Sequence, residues 1–230
     1  FTSLLLLLLA VLLLTALGGM IFQLINGYTR LEPGLYLGRY VLPGLLSFGV
    51  WAAVSFLVHV LVNNKYVGYA VFIGLFVGNL LLWSSLDVSS NMVSLNGSPS
   101  WPYSDMNGYG TALGSWMWLR MYWWAFAGIL LVVAFLFWIR GKETAFRSRL
   151  RLAGERLKGN AALVFSVVAL WLVVGGWTFY NTKVLNEYRT GDTVEDDQAY
   201  YEQTYKKYDG ILQPHYTDIT FTIDLVPEKR

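Results

Sequence analysis

The sequence has 230 residues, of which 55% are hydrophobic and only 14% charged, a composition too apolar for a soluble domain of this size. It contains no cysteine, which excludes disulfides, thiolate catalysis and Cys-ligated metals. The net charge of +2 indicates no partner by itself, and we expect no nucleic acid among the partners. The lipid bilayer is the solvent that this composition favours.

Apolar segments long enough to cross a hydrocarbon core as a helix, which takes about 20 residues, occur five times in the chain. We therefore predict an all-α membrane protein whose transmembrane bundle covers residues 1–180. Aromatic residues from Trp116 to Trp124 precede or open the fourth span and are typical of a belt at the membrane surface. The predicted spans cover residues 4–25, 41–62, 66–85, 122–139 and 161–180.

Basic residues in the connections between spans predict the orientation. Residues 140–158 contain seven Lys and Arg against two Glu, so we expect this connection in the cytoplasm. The turn at residues 63–65 then lies on the same side, whereas residues 86–115, which we call the outer loop, and the C-terminal tail lie outside. Arg30 and Arg39 fall outside against the rule, and the larger basic cluster outweighs them.

A basic amphipathic helix is predicted over residues 142–158. Phe146, Leu150, Ala153 and Leu157 follow each other at helical spacing and share one face. Two interpretations remain open: the cations anchor the helix to anionic lipid, or they form a docking surface for a cytoplasmic partner. The cations concerned are Lys65, Arg147, Arg149, Arg151 and Arg156.

The outer loop is rich in turn-forming residues with interleaved aromatics, which predicts a compact structure at the membrane surface. It carries Asp105, a candidate functional residue, and Asp87. The competing interpretation is that both carboxylates are simply solvated.

The tail after the last span is predicted to form an extracytoplasmic stalk over residues 181–214. Thr193 and Asp196 resemble a capping box that opens a helix. Apolar and polar side chains alternate from Ile219 to Leu225, which predicts that residues 215–230 form the first strand of a β-domain. Because that strand lacks sheet partners, and because an apolar run without a basic leader begins directly after Phe1, we expect the sequence to be a segment of a longer polypeptide.

His59 is the only ionisable residue deep in a predicted span, which makes it a functional candidate for transport or proton relay. The alternative is a neutral imidazole that bonds a neighbouring helix. Asn79 and Gln23 are predicted to form interhelical hydrogen bonds. None of the common metalloprotease, nucleotide-binding or serine-hydrolase motifs occurs in the sequence, so we assign no catalytic, cofactor-binding or metal-binding residue.

Three strings carry a family resemblance: LVHVLVNNKYVG at residues 57–68, PYSDMNGYG at 102–110 and RSRLR at 147–151. They resemble the second membrane half of bacterial fusion proteins that join an ABC-2-type transporter permease to an M1-family zinc aminopeptidase. IDLVPEKR at residues 223–230 is similar to the opening strand of the M1 amino-terminal β-domain.

The resemblance implies a multi-pass protein of the bacterial inner membrane that works with a separate ABC ATPase. It also implies a second membrane half, or a dimer mate, and a zinc peptidase domain beyond residue 230; whether the parent chain is an enzyme depends on that domain. Two rivals remain: a membrane anchor without transport activity for a surface metallopeptidase, and a sensor whose outer loop binds a ligand.

Overall fold

The structure is a computed structural model, and it divides the chain into two compact units, Phe1–Thr190 and Gly191–Arg230. In the described part of the chain the regular structure is helical, which confirms the predicted all-α class. The residues that it describes are 1–62, 64–86, 88, 90–104, 106–139, 146–186, 188–211 and 216–223.

Five helices within the described ranges are long and apolar enough to cross a membrane. This confirms the five spans expected from the apolar runs, because a run of about 20 apolar residues satisfies all its backbone hydrogen bonds only as a helix in lipid. The helices are Thr2–Ile25, Pro33–Leu61, Lys65–Trp83, Ala112–Phe137 and Ala161–Val184.

The second span is a composite of three helical segments. Helix α1 (Thr2–Ile25) is followed by a single turn, α2 (Pro33–Leu35), with proline at its first position, where the missing N–H costs nothing. A π-helical stretch (Tyr36–Val41) then leads into α3 (Leu42–Leu61). The span therefore begins eight residues before the predicted 41.

Helix α4 (Lys65–Ser85) begins directly after α3, capped by the Asn64 side chain, which accepts hydrogen bonds from the backbone of Tyr66 (2.9 Å) and Val67 (3.4 Å). Helix α5 (Ala112–Phe137) begins well before the predicted residue 122. Trp116 and Trp118 therefore lie inside the helix rather than ahead of it.

Helix α6 (Phe146–Gly159) corresponds to the predicted basic helix; residues 142–145 of that prediction lie outside the described residues. After one residue the chain continues as α7 (Ala161–Phe179), which a π-helical stretch extends to Val184. The boundary between α6 and α7 falls at Asn160, whose amide donates to the Arg156 carbonyl oxygen (2.9 Å).

Helix α5 is the centre of the first unit and packs between α3 and α7. Its Tyr122 and Trp123 form a buried cluster with Val50 of α3 and Val174 of α7. The α3–α5 contact is close because Gly49 lacks a side chain: a Cβ there would lie 2.5 Å from Trp124 Cζ2. Helix α1 packs on α3 through a second, smaller cluster.

The second unit contains α8 (Gly191–Tyr205), followed by a 3₁₀ turn (Lys206–Tyr208). The Tyr201 and Tyr205 rings lie 4.8 Å apart on one face of α8. Residues 216–223 form no strand here; an isolated strand has no partner for its backbone groups. The remainder of the predicted strand and of the stalk, residues 212–215 and 224–230, lies outside the described residues, and the stalk role stays a prediction.

Candidate functional site

Arg120 is the centre of a buried polar cluster in the first half of α5. The residue is only 3% exposed. Its Nη1 donates to Ser47 Oγ (3.1 Å) and to Asn96 Oδ1 (2.6 Å), and its Nη2 donates to the carbonyl oxygens of Asn96 (2.7 Å) and Gly97 (2.8 Å). Hydrogen bonds from an ionised donor are about twice as strong as neutral ones, so this guanidinium fixes the outer loop to α3 and α5.

Residues 90–97 of the outer loop, which we call the re-entrant segment, turn back towards the helical bundle. Tyr122 Oη donates to the carbonyl oxygen of Met92 (3.3 Å), and Trp123 Nε1 donates to that of Asn91 (3.2 Å). Trp123 lies about 16 Å along α5 from its first residue, at 1.5 Å per residue. Irregular backbone packed among apolar helices requires protein groups that satisfy its hydrogen bonds, and these two side chains supply them.

Asn79 of α4 holds the same segment from the other side. Its Oδ1 accepts the Leu95 N–H (2.9 Å) and the Trp83 Nε1–H (2.8 Å), and its Nδ2 donates to the Leu95 carbonyl oxygen (3.2 Å). The prediction of an interhelical hydrogen bond was wrong in its partner, because the side chain bonds the re-entrant segment and its own helix.

The turn at Asn96 and Gly97 explains why the segment can reverse direction in so little space. Asn96 adopts a positive φ of 63°, which asparagine tolerates better than most residues. A Cβ on Gly97 would lie 2.6 Å from the Asn91 carbonyl oxygen. Backbone geometry therefore favours asparagine at position 96 and glycine at position 97. The carbonyl oxygens of both residues accept hydrogen bonds from Arg120.

A second arginine, Arg149 of α6, lies at the opposite end of α3 and α5. It is 7% exposed. Its Nη1 donates to the Leu61 carbonyl oxygen (3.0 Å), while its Nη2 donates to those of Val60 and Phe137 (3.4 Å for the latter). These carbonyls end α3 and α5, where the helix has no internal donors left and its dipole is negative.

Arg156 makes a similar set of contacts about two helical turns further along α6. Its Nη1 donates to the carbonyl oxygens of Phe135 (3.0 Å), Leu136 (3.1 Å) and Trp138 at the end of α5. Together with the buried Ala153, the two arginines define the face of α6 that packs on the bundle. Leu150 and Leu157 of the predicted apolar stripe are 47% and 42% exposed.

The other predicted basic residues point outwards. Arg147 is exposed, and the Arg151 side chain is 85% exposed and pairs with Glu155 at 3.2 Å. Lys65 Nζ lies 5.0 Å from the Tyr66 ring centroid. Contact with lipid or with a cytoplasmic partner stays a prediction, and these three cations are the ones accessible for it.

His59 lies near the end of α3, in contact with α4. Its Nδ1 donates a hydrogen bond to the Ser55 carbonyl oxygen at 2.8 Å, because a carbonyl oxygen can only accept. The ring meets the Tyr69 ring edge-on at 5.0 Å, and Nε2 is buried with no partner in the described part of the molecule. Its functional role stays a prediction, as does that of Asp105, which lies outside the described residues.

Sequence reasoning missed Arg120 as the organising residue of the site. The available signal was a single arginine inside an aromatic and apolar stretch, WLRMYWWAF at residues 118–126. A charge in such a position requires buried partners, and the turn-forming Asn96 and Gly97 offered them.

Within the described ranges no group of three or more His, Cys, Asp or Glu side chains lies close enough together to hold a metal ion. Comparisons of the chain with protein-family models, with curated proteins and with solved structures found no match. The site is therefore interpreted from its own chemistry: two buried arginines that bind irregular or terminal backbone at the two ends of α5.

Proposed function

We propose that this chain is the membrane-spanning permease segment of an ABC-2-type transporter, and that it tethers an extracytoplasmic M1-type metalloaminopeptidase lying beyond residue 230. The bundle would work with a separate ABC ATPase and with further spans from the same polypeptide or a dimer mate. The resemblance of three loop strings to such fusion proteins motivates the family. The attachment of α6 to the bundle is the observation that carries the mechanism.

Helix α6 is connected to the spans in a way that a simple anchor does not require. Arg149 ties it to the ends of both α3 and α5, and Arg156 ties it again to α5. A displacement of α6 would thus be passed to two packed spans at once. Such a rigid connection between a surface helix and the spans is what an ATPase needs in order to move them.

The outward face of α6 carries the charges that a partner could bind. Arg147 and Arg151 are exposed, and the pair of Arg151 with Glu155 is a surface salt bridge of small energy, about 0.3–0.5 kcal/mol for this helical spacing. Both cations can therefore be redirected to an acidic partner surface at little cost.

The test is co-purification of an ABC ATPase with the full-length protein in mild detergent. We expect the ATPase with the unmodified protein and its loss from the double variant Arg147→Gln, Arg151→Gln, which leaves the buried arginines in place. Lys206→Gln, Lys207→Gln is the matched control, because it removes the same charge from exposed residues of the second unit.

Absence of any ATPase from the unmodified protein would contradict the transporter proposal. The better account would then be the alternative, a membrane anchor for a surface metallopeptidase without transport activity. One observation favours that alternative: Asn79 and Arg120, two strongly polar side chains of the spans, are occupied by the re-entrant segment instead of lining a path across the bundle.

A further inference from the structure

A cavity of about 420 Å³ lies between α3, α5 and the outer loop, within the size range of ligand pockets. It belongs to the end of the bundle opposite α6. The residues that line it are almost entirely apolar or aromatic, and they include Leu42 and Leu46 of α3, Met117 and Met121 of α5, and Trp101 and Tyr109 of the outer loop.

The cavity is open on the side where the spans face their surroundings. Leu42, Met117 and Met121 are each about half-exposed, at 53%, 51% and 50%. These residues lie on two helices that are apolar enough to span a membrane, and in a bilayer we expect this opening to face hydrocarbon. Methionine side chains are flexible and adapt to the shape of an apolar guest.

Stacked aromatic rings close the cavity towards the outer loop. Trp101 stacks on Tyr109 with 4.8 Å between ring centroids and on Trp116 with 4.5 Å. Tryptophan and tyrosine favour the level of the lipid headgroups. A molecule in the cavity would therefore have its apolar part below these rings and its polar part beside them.

A cation, Arg39, lies beside the stacked aromatic rings of the outer loop. The Arg39 guanidinium lies 4.5 Å from the Tyr103 ring centroid, and Tyr103 packs edge-on against Tyr109 at 5.3 Å. The neighbouring Gly38 lines the cavity itself. Arg39 is exposed, and no carboxylate of the described residues lies within 4.0 Å of it.

We propose that this cavity binds one acyl chain of a phospholipid from the leaflet opposite α6, and that Arg39 binds the phosphate of that lipid. Apolar cavities stay dry and take up apolar guests, and the hydrocarbon-facing opening admits a chain directly from the bilayer. A guanidinium suits phosphate because its donors match two phosphate oxygens at once. The binding site does not depend on transport, since a lipid would occupy it in an anchor as well.

The first test measures phospholipid that co-purifies with the full-length protein in mild detergent, by mass spectrometry of the extracted lipids. Gly38→Leu places a side chain at the cavity wall, and a Cβ at this position meets no atom within 4 Å. Gly34→Leu is the matched control, one helical turn away, where a Cβ also meets nothing within 4 Å.

We expect bound phospholipid to fall about tenfold in Gly38→Leu, because loss of about two buried methylene groups from the guest costs a factor of ten in affinity. Gly34→Leu should retain the lipid of the unmodified protein. Equal lipid content in Gly38→Leu and the unmodified protein would overturn the proposal.

The second test uses the unmodified protein and does not depend on the folding of a variant. Trp101 and Trp116 line the cavity, so phosphatidylglycerol with brominated chains should quench tryptophan fluorescence saturably. Arg39→Gln should weaken the binding of this lipid about tenfold, because the variant loses one charge-assisted contact with the phosphate. Diacylglycerol with the same brominated chains has no phosphate and no charge, so it should bind more weakly, and Arg39→Gln should not change its binding. Equal binding of the two probes would overturn the phosphate contact, and no saturable quenching would overturn the site.

Discussion

Arg149 of α6 donates a hydrogen bond to the carbonyl oxygen of Leu61, the last residue of α3, at 3.0 Å. The two residues are 88 positions apart in the chain. The guanidinium lies at the negative end of the α3 dipole, which a cation stabilises. A basic helix that composition alone describes as a lipid anchor is therefore also a structural cap for the spans.

We expect Arg149→Gln to lower the free energy of unfolding by about 1–3 kcal/mol, because terminal carbonyls of α3 and α5 lose charge-assisted partners. Arg147→Gln removes the same charge two residues away at an exposed position and should change it by no more than about 0.5 kcal/mol. The measurement is the thermal unfolding midpoint in detergent. Equal midpoints for the two variants would show that the cap contributes nothing.

We expect the hydrogen bonds of Arg120 to determine the local stability of the re-entrant segment. In Arg120→Gln the segment loses three hydrogen bonds from the guanidinium, and we expect the Leu95 and Gly97 amides to exchange with solvent about a hundredfold faster, equivalent to about 2.7 kcal/mol. Arg120→Lys should fall between, since an ammonium has three donors without the fork geometry. Amides of α8 are the internal control, and unchanged exchange at Leu95 would contradict the assignment.

Two glycine substitutions separate backbone constraint from simple loss of glycine. Gly97→Ala places a Cβ 2.6 Å from the Asn91 carbonyl oxygen, and backbone cannot move aside cheaply, so we expect a loss of about 1–3 kcal/mol. Gly114→Ala meets no atom within 4 Å and lies in α5, where alanine is the better helix former, so it should stabilise by about 0.5–1 kcal/mol. Thermal unfolding midpoints that move in the same direction would contradict this account of the turn.

The spans were predictable from sequence because apolar length is a local property and lipid permits few backbone solutions. The start of α5 was not. In a hydropathy count the charge of Arg120 ends the apolar run. In the structure that charge is satisfied by Asn96, 24 positions away in the chain, and by Ser47, 73 positions away. Such a contact depends on which helices pack together, and hydropathy carries no information about that.

The candidate site was likewise predictable from sequence only in part. Turn-forming residues identified the outer loop as a compact connection, and charge counts identified α6 as a basic surface helix. Neither could tell that Arg149 faces inwards while Arg151 faces outwards, because the face of α6 that packs is set by the positions of Leu61 and Phe137 at the ends of other helices. Periodicity identified the leucine stripe, but it carries no information on which face of α6 packs on the bundle.

His59 is expected to contribute packing more than proton chemistry. His59→Phe keeps the edge-on contact with the Tyr69 ring and removes the unpartnered Nε2, so the free energy of unfolding should change by less than about 1 kcal/mol. His59→Asp is the contrasting variant, since an unpaired buried carboxylate is costly. A loss in His59→Phe as large as in His59→Asp, measured by thermal unfolding, would indicate that Nε2 has an essential polar partner.

The orientation of the bundle can be measured directly because the chain contains no cysteine, so each introduced thiol is the only one in this segment. Met106 in the outer loop is 98% exposed. In the C-terminal tail Tyr216 is 89% exposed and Phe221 is 77% exposed. We expect Met106→Cys and Tyr216→Cys to react with a membrane-impermeant maleimide added to intact cells, since the basic connection at α6 favours the cytoplasm.

Lys158→Cys, at the exposed end of α6, should react only after the membrane is permeabilised, and it is the control for leakage in the same experiment. The opposite pattern, with Lys158→Cys labelled in intact cells and Met106→Cys protected, would invert the bundle. Exposed Arg147 and Arg151 would then face away from the cytoplasm, where no ATPase can reach them, and the transporter proposal would fail together with the orientation.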